Sequence, residues 1–199
     1  NDASYEIEGK VSDSSKNTTF QVTANVGVNS TGPWADVILK GVFGLNHANN
    51  VRLVGGSHIV IRRTLPVDRA YTFQAADGRV VFIIPYENDF LLVGTTDTEN
   101  NDLHTPPAIT QGEIEYLCSA ASEYLKDEIT PEDIAWTFSG VRPLYNDGAS
   151  KAQEATRDYV VRENSALGGP LINVFGGKIT TYRKLAEDVM TRVCGYLGL

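Results

Sequence analysis

The chain has few cysteines, little positive charge and no long apolar run, and each shortage excludes a class of protein. Two cysteines among 199 residues, Cys118 and Cys194, cannot staple a secreted scaffold, and no C-x-x-C or Cys/His spacing marks a structural zinc site. The expected setting is a reducing, cytoplasmic one, with no metal. The longest apolar stretches are strand-sized, too short to cross a bilayer as a helix, and no basic-then-apolar leader opens the sequence. Positive charge is outnumbered: 17 Lys+Arg stand against 25 Asp+Glu, a formal charge of -8. Binding a polynucleotide backbone needs clustered positive charge, so nucleic acid is excluded as a partner.

What is present is 42% hydrophobic and 21% charged, the balance of a soluble globular chain of one large or two small domains. The chain opens on Asn1 and is already alternating like a strand by Tyr5, as expected of a piece of a longer polypeptide. Residues 5–11 and 20–28 alternate polar and apolar, with Asn17 in the turn between them, and predict a strand pair. Pro33 suits the first turn of a short helix that ends near Gly41–Gly44. From Val51 the pattern turns β-rich, over 51–63, 70–75, 79–86 and 89–95. Asp77-Gly78 is a strong hairpin signal there and Glu87-Asn88-Asp89 a second turn, so the stretch reads as an antiparallel meander. Residues 110–125 take helical spacing behind a Thr110…Glu113 capping box. Strands are expected again at 134–141, 157–162 and 171–175, and an amphipathic helix over 179–197. Trp34, Trp136 and the aromatics of 71–90 read as core. The fold class is α+β.

Charge is uneven. Between Ser139 and Lys184 lie seven basic residues and four acidic ones, a basic island in an acidic chain of the kind that suits a small anionic ligand. Within it, Val174-Phe175-Gly176-Gly177-Lys178-Ile179-Thr180-Thr181-Tyr182-Arg183 runs from an apolar strand through two glycines into a helix, which brings backbone N–H groups and the positive end of the helix dipole to one point. A Walker A loop needs a Gly where Ile172 sits and a Ser or Thr where Ile179 sits, so nucleoside triphosphate hydrolysis is disfavoured.

These blocks resemble a known family. Thr137-Phe138-Ser139-Gly140-Val141-Arg142-Pro143-Leu144, Ala155-Thr156-Arg157-Asp158-Tyr159 and Val174 through Ala186 look like those of FAD-dependent (aerobic) glycerol-3-phosphate dehydrogenase. Upstream, Val28-Asn29-Ser30-Thr31-Gly32-Pro33-Trp34, Gly56-Ser57-His58-Ile59-Val60 and Gly94-Thr95-Thr96-Asp97 match in the same order. The resemblance implies a dinucleotide-binding domain interrupted by a substrate domain built on an antiparallel sheet. Residues 1–50 would be partial FAD-domain elements, 51–137 the substrate domain, and 138–199 the return to the substrate site and the FAD domain's last strand and helix. No G-x-G-x-x-G occurs, so the unit that cradles the FAD pyrophosphate is not in this sequence, and the chain is expected to be the enzyme's middle portion.

The resemblance implies oxidation of sn-glycerol 3-phosphate to dihydroxyacetone phosphate, with hydride passing to FAD and electrons onward to quinone. It makes His58 the candidate base and Arg142 the electrophile at the developing alkoxide. Arg157 and Lys178 would hold the substrate phosphate. Gly177, Lys178, Ile179 and Thr180 would meet the flavin edge, and Thr31 and Gly32 the adenosine half of FAD. A dimer, and peripheral contact with the inner face of the cytoplasmic membrane through regions outside this sequence, are compatible with it. Two rivals stand beside this reading: a glycerophosphate oxidase, which gives electrons to oxygen, and a non-catalytic phosphate-binding or assembly module.

Overall fold

The computed structural model describes residues 5–13, 16–100, 102–151, 154–164 and 168–199. They form an α+β fold in two compact units, the first made of residues 1–52, 143–150 and 154–199, the second of 53–142 and 151–153.

The first unit opens with an antiparallel hairpin, β1 (Tyr5–Asp13) and β2 (Lys16–Ala24). Asn17, read from sequence as a turn residue, lies in β2 opposite Ser12. The stretch expected as one strand over 20–28 divides, and its last part joins a different sheet as β3 (Gly27–Asn29). A single 3-10 turn, Gly32–Trp34, carries Pro33 into α1 (Ala35–Gly41), where proline's missing N–H costs no hydrogen bond. The unit's three-stranded sheet has the order β10 (Val160–Asn164), β11 (Leu171–Phe175), β3. The central strand β11 is buried at every residue, four of them apolar and the fifth, Asn173, meeting partners on both neighbouring strands. It pairs antiparallel with β10 and parallel with β3. Ala35, Leu39, Leu171 and Phe175 make the core beside it. A row of amides crosses the sheet: the buried Asn29 Nδ2 donates to the buried Asn173 Oδ1 at 3.1 Å, and Asn173 Nδ2 to the half-buried Asn164 Oδ1 at 2.9 Å. α3 (Tyr182–Leu197) ends on Gly198 in the left-handed region and buries none of its residues.

The second unit is a six-stranded sheet with the order β5 (Tyr71–Gln74), β6 (Val80–Tyr86), β7 (Phe90–Gly94), β4 (Val51–Ile61) and β8 (Thr98–Glu99), while β9 (Ile134–Tyr145) also pairs with β4. The meander is antiparallel throughout its β5–β6–β7–β4 run, with Phe82 and His58 both opposite Gly94. α2 (Gln111–Ser122) covers one face, burying Leu117, Cys118, Ala120 and Ala121 against Ile59, Ile61, Val81, Ile83, Leu91 and Val93. Trp34 and Trp136 are not core: they are 51% and 56% exposed. Trp136 packs along its own strand face on Phe138, with ring centroids 5.4 Å apart, rather than into the interior.

Candidate active site

Alternation along β4 puts Gly56 and His58 on one face and Ser57 on the other. On the first face the His58 ring stacks on Phe138 of β9, 4.7 Å between centroids and 6° from parallel. A Cβ on Gly94 would stand 2.7 Å from the His58 Nε2, so only glycine in β7 leaves room for the ring. His58 Nδ1 is buried and finds no hydrogen-bond partner among the described residues. Burial first, and then the nearby Arg142 guanidinium, push the imidazole's pKa below its ordinary value. An imidazolium would need acceptors for both N–H groups; this pocket favours the neutral ring, the form that can take a proton.

Arg142 on β9 lies over Gly56, where a Cβ would stand 2.6 Å from Cζ. Its guanidinium is fastened by three oxygens in a row: Nη2 donates to Thr95 Oγ1 at 2.7 Å, and Nη1 to the Thr96 carbonyl at 3.3 Å and to Asp97 Oδ1 at 3.1 Å. The side chain keeps 27% of its surface exposed, so the cation is held in place without being sealed off. The structure thus brings His58 and Arg142 together. It also adds residues to which the sequence reading gave no role: Thr95, Thr96 and Asp97 as the clamp on Arg142, and Phe138 as the platform under His58. The Gly55-Gly56 pair inside a strand was the sequence signal of a close approach there.

In the first unit, β3 and β11 run parallel with Asn29 opposite Asn173. The Thr31-Gly32 turn and the Gly176-Gly177 turn therefore leave the same, carboxyl, end of a parallel pair, where open α/β sheets bind their ligands. Thr31 Oγ1 donates to Asn29 Oδ1 at 2.7 Å, which anchors the first turn. Gly176 and Gly177 have φ of 71° and 103°, a conformation side chains resist. A Cβ on Gly176 would stand 3.0 Å from the Asp158 carbonyl oxygen, so residues 157–159 lie close against the turn. Arg157 is half-buried in that segment, and the exposed Lys178 ammonium is 3.9 Å from the Asp158 carboxylate. Beyond the glycines, a 3-10 turn at Ile179–Thr181 leads into α3, leaving the first N–H groups of the helix without intrahelical acceptors.

The Gly176-Gly177 turn into a helix entry, with Thr31-Gly32 at the same end of the parallel pair, suits the close approach of a nucleotide ligand. Residues 4–183 match the family described as FAD dependent oxidoreductase, and the chain belongs to that family. It is 43% identical over 187 residues to the D-erythritol 1-phosphate dehydrogenase of Brucella abortus, across 94% of this chain and 37% of the relative. It is 39% identical over 191 residues to the aerobic glycerol-3-phosphate dehydrogenase of Escherichia coli, across 96% of this chain and 38% of that one. Among solved structures it resembles the glycerol-3-phosphate dehydrogenase of Bacillus halodurans complexed with FAD, with a TM-score of 0.73 at 27% identity, over 98% of this chain and 39% of that chain. The chain therefore spans under two-fifths of the length of these relatives. No helix among the described residues is long and apolar enough to cross a membrane.

Proposed function

We propose that this chain is the middle portion of a flavoenzyme that oxidises sn-glycerol 3-phosphate to dihydroxyacetone phosphate. The observation that supports it best is the His58 ring held beside a fastened Arg142 guanidinium, in a chain related to polyol-phosphate dehydrogenases. FAD, when bound, supplies the acceptor for the hydride leaving C2. A ring nitrogen of His58 takes the proton of the C2 hydroxyl, and Arg142 stabilises the negative charge that grows on that oxygen. Arg157 and Lys178 take the phosphate, whose two charges call for cationic donors. Gly177, Lys178, Ile179 and Thr180 meet the flavin edge, and Thr31-Gly32 gives close approach to the adenosine half; the positive φ of Gly176 and Gly177 fits such an approach.

Electrons then pass to quinone, the enzyme acting in the cytoplasm at the inner face of the membrane. The test is anaerobic flavin reduction by the full-length enzyme. Glycerol 3-phosphate should bleach the flavin, and Arg157→Ala should raise KM for it by about tenfold or more while leaving KM for glycerol nearly unchanged. Equal effects on both substrates would remove the phosphate role. A four-carbon polyol phosphate is the second reading, favoured by the 43% identity to a D-erythritol 1-phosphate dehydrogenase. The ratio of kcat/KM for the two phosphates decides between them.

A further inference from the structure

On the other face of β4 lies a buried carboxylate that the chemistry above does not use. Glu113, in the first turn of α2, is 8% exposed, and its two oxygens accept four hydrogen bonds. Oε2 serves the helix: it accepts from the Thr110 amide and from the Thr110 hydroxyl, both at 2.9 Å. A capping box needs no more than this. Oε1 serves the sheet, accepting from Ser57 Oγ at 2.9 Å and from Thr96 Oγ1 at 2.5 Å. Each hydroxyl has one proton, and Ser57 and Thr96 spend theirs on Glu113. The 2.9 Å contact between the Ser57 and Ser139 hydroxyls must then be donated by Ser139, and the Ser57 amide donates to Thr96 Oγ1 at 2.9 Å.

The hydrogen-bond directions are thus fixed outward from one carboxylate. Burial alone would raise its pKa, but donors from Thr96, Thr110 and Ser57 outweigh burial and hold it below the ordinary glutamate value, so it is an anion at neutral pH. Thr96 faces both ways. Its hydroxyl is held by Glu113, and its carbonyl oxygen receives the Arg142 guanidinium between the Thr95 and Asp97 oxygens.

We propose that Glu113 is a positioning residue for Arg142. Its carboxylate pins Thr96 and Ser57, and so sets the 95–97 segment whose oxygens aim the guanidinium. The inference rests on the reading of Arg142 as the group that stabilises the substrate oxygen, and its test has one arm that does not need substrate.

In the full-length enzyme, Glu113→Gln should lower kcat about 10- to 100-fold, the cost of misplacing a reacting group by about an ångström, while KM changes little. Thr96→Val, which leaves the Thr110 cap intact, should do the same. Thr110→Ala, which removes the cap hydroxyl and its bond to Oε2 but leaves the Ser57 and Thr96 bonds to Oε1, should lower Tm and leave kcat within about twofold. The substrate-free arm is an NMR titration of His58. Arg142 from β9 is the charged group acting on that ring, while Phe138 of β9 and Gly94 of β7 carry none. If Glu113→Gln releases Arg142, the His58 pKa rises toward its ordinary value; losing the negative charge of Glu113 would by itself lower it. A rise in an enzyme that ignores glycerol 3-phosphate refutes the proposed substrate and upholds the positioning role. A well-folded Glu113→Gln enzyme with unchanged kcat and unchanged His58 titration overturns the positioning role.

Discussion

Gly56→Ala separates the activity of this protein from its stability. Gly56 sits in β4 with ordinary strand geometry, so the added methyl meets no backbone resistance. It meets the guanidinium: its carbon would stand 2.6 Å from Arg142 Cζ, where carbons normally rest about 3.5–4.0 Å apart. The far end of Arg142 must retreat by about 1 Å. A displacement of that size costs on the order of 100-fold in rate, or about 2.7 kcal/mol of barrier. The stability change is much smaller. Replacing glycine within a strand gains about 0.5–1 kcal/mol. Loosening a part-exposed Arg142–Asp97 pair, with side chains 27% and 13% exposed, gives back about as much. The expected result is a kcat lowered by about two orders of magnitude with Tm shifted by only a few degrees, read by stopped-flow flavin reduction and thermal unfolding of the full-length enzyme. Gly55→Ala is the matched control, because its methyl meets the Thr98 hydroxyl and not Arg142. A Gly56→Ala enzyme within about threefold of wild-type kcat would refute the placement of Arg142 at the reacting oxygen.

Two further outcomes are expected. The His58 pKa in the fold lies below the 6.5 of the unfolded chain, so between the two values the unfolded state binds more protons. His58 therefore contributes a loss of stability as pH falls below 6.5, levelling out beneath the folded value. Urea unfolding at a series of pH values should show that slope reduced in His58→Gln, and parallel curves would contradict the burial of a neutral ring. In the first unit, Asp36 accepts from the Asn50 amide at 2.7 Å, the Asn50 side chain at 2.9 Å and the Val51 amide at 2.8 Å. Asp36→Ala leaves these donors unmet and should cost about 2–4 kcal/mol in urea unfolding; a loss under about 1 kcal/mol would show that water replaces the carboxylate.

The meander was legible because its strands are runs rich in Val, Ile, Phe and Tyr and Asp77-Gly78 marks a hairpin. The Thr110…Glu113 signature likewise marked the start of α2. That same signature hid the second role of Glu113. A capping box is satisfied within four residues, whereas the hydroxyls on Oε1 come from 56 and 17 residues away. The 95–97 segment was quoted and given no role for the same reason, since its three oxygens acquire meaning only when Arg142 arrives from 45 to 47 residues downstream. Trp136 was misread because hydrophobicity says that a ring prefers company but not which face of β9 supplies it. His58 and Arg142 were singled out only through the family resemblance and Gly176-Gly177 as a glycine turn into a helix, while the surroundings of each came from the fold.

The row of amides from Asn29 through Asn173 to Asn164 acts as a key that fits one alignment only. Strands have no intrinsic preference for register, and β3 and β11 meet from positions 144 residues apart. Sliding one strand past the other by two residues, the smallest slip that keeps its faces, would carry Thr31-Gly32 past Gly176-Gly177 by roughly 6.6 Å. It would also strand buried amides without partners, each costing about 1–3 kcal/mol. Three asparagines linked across this sheet therefore act as a ruler, setting the gap between two glycine turns that lie far apart in the chain.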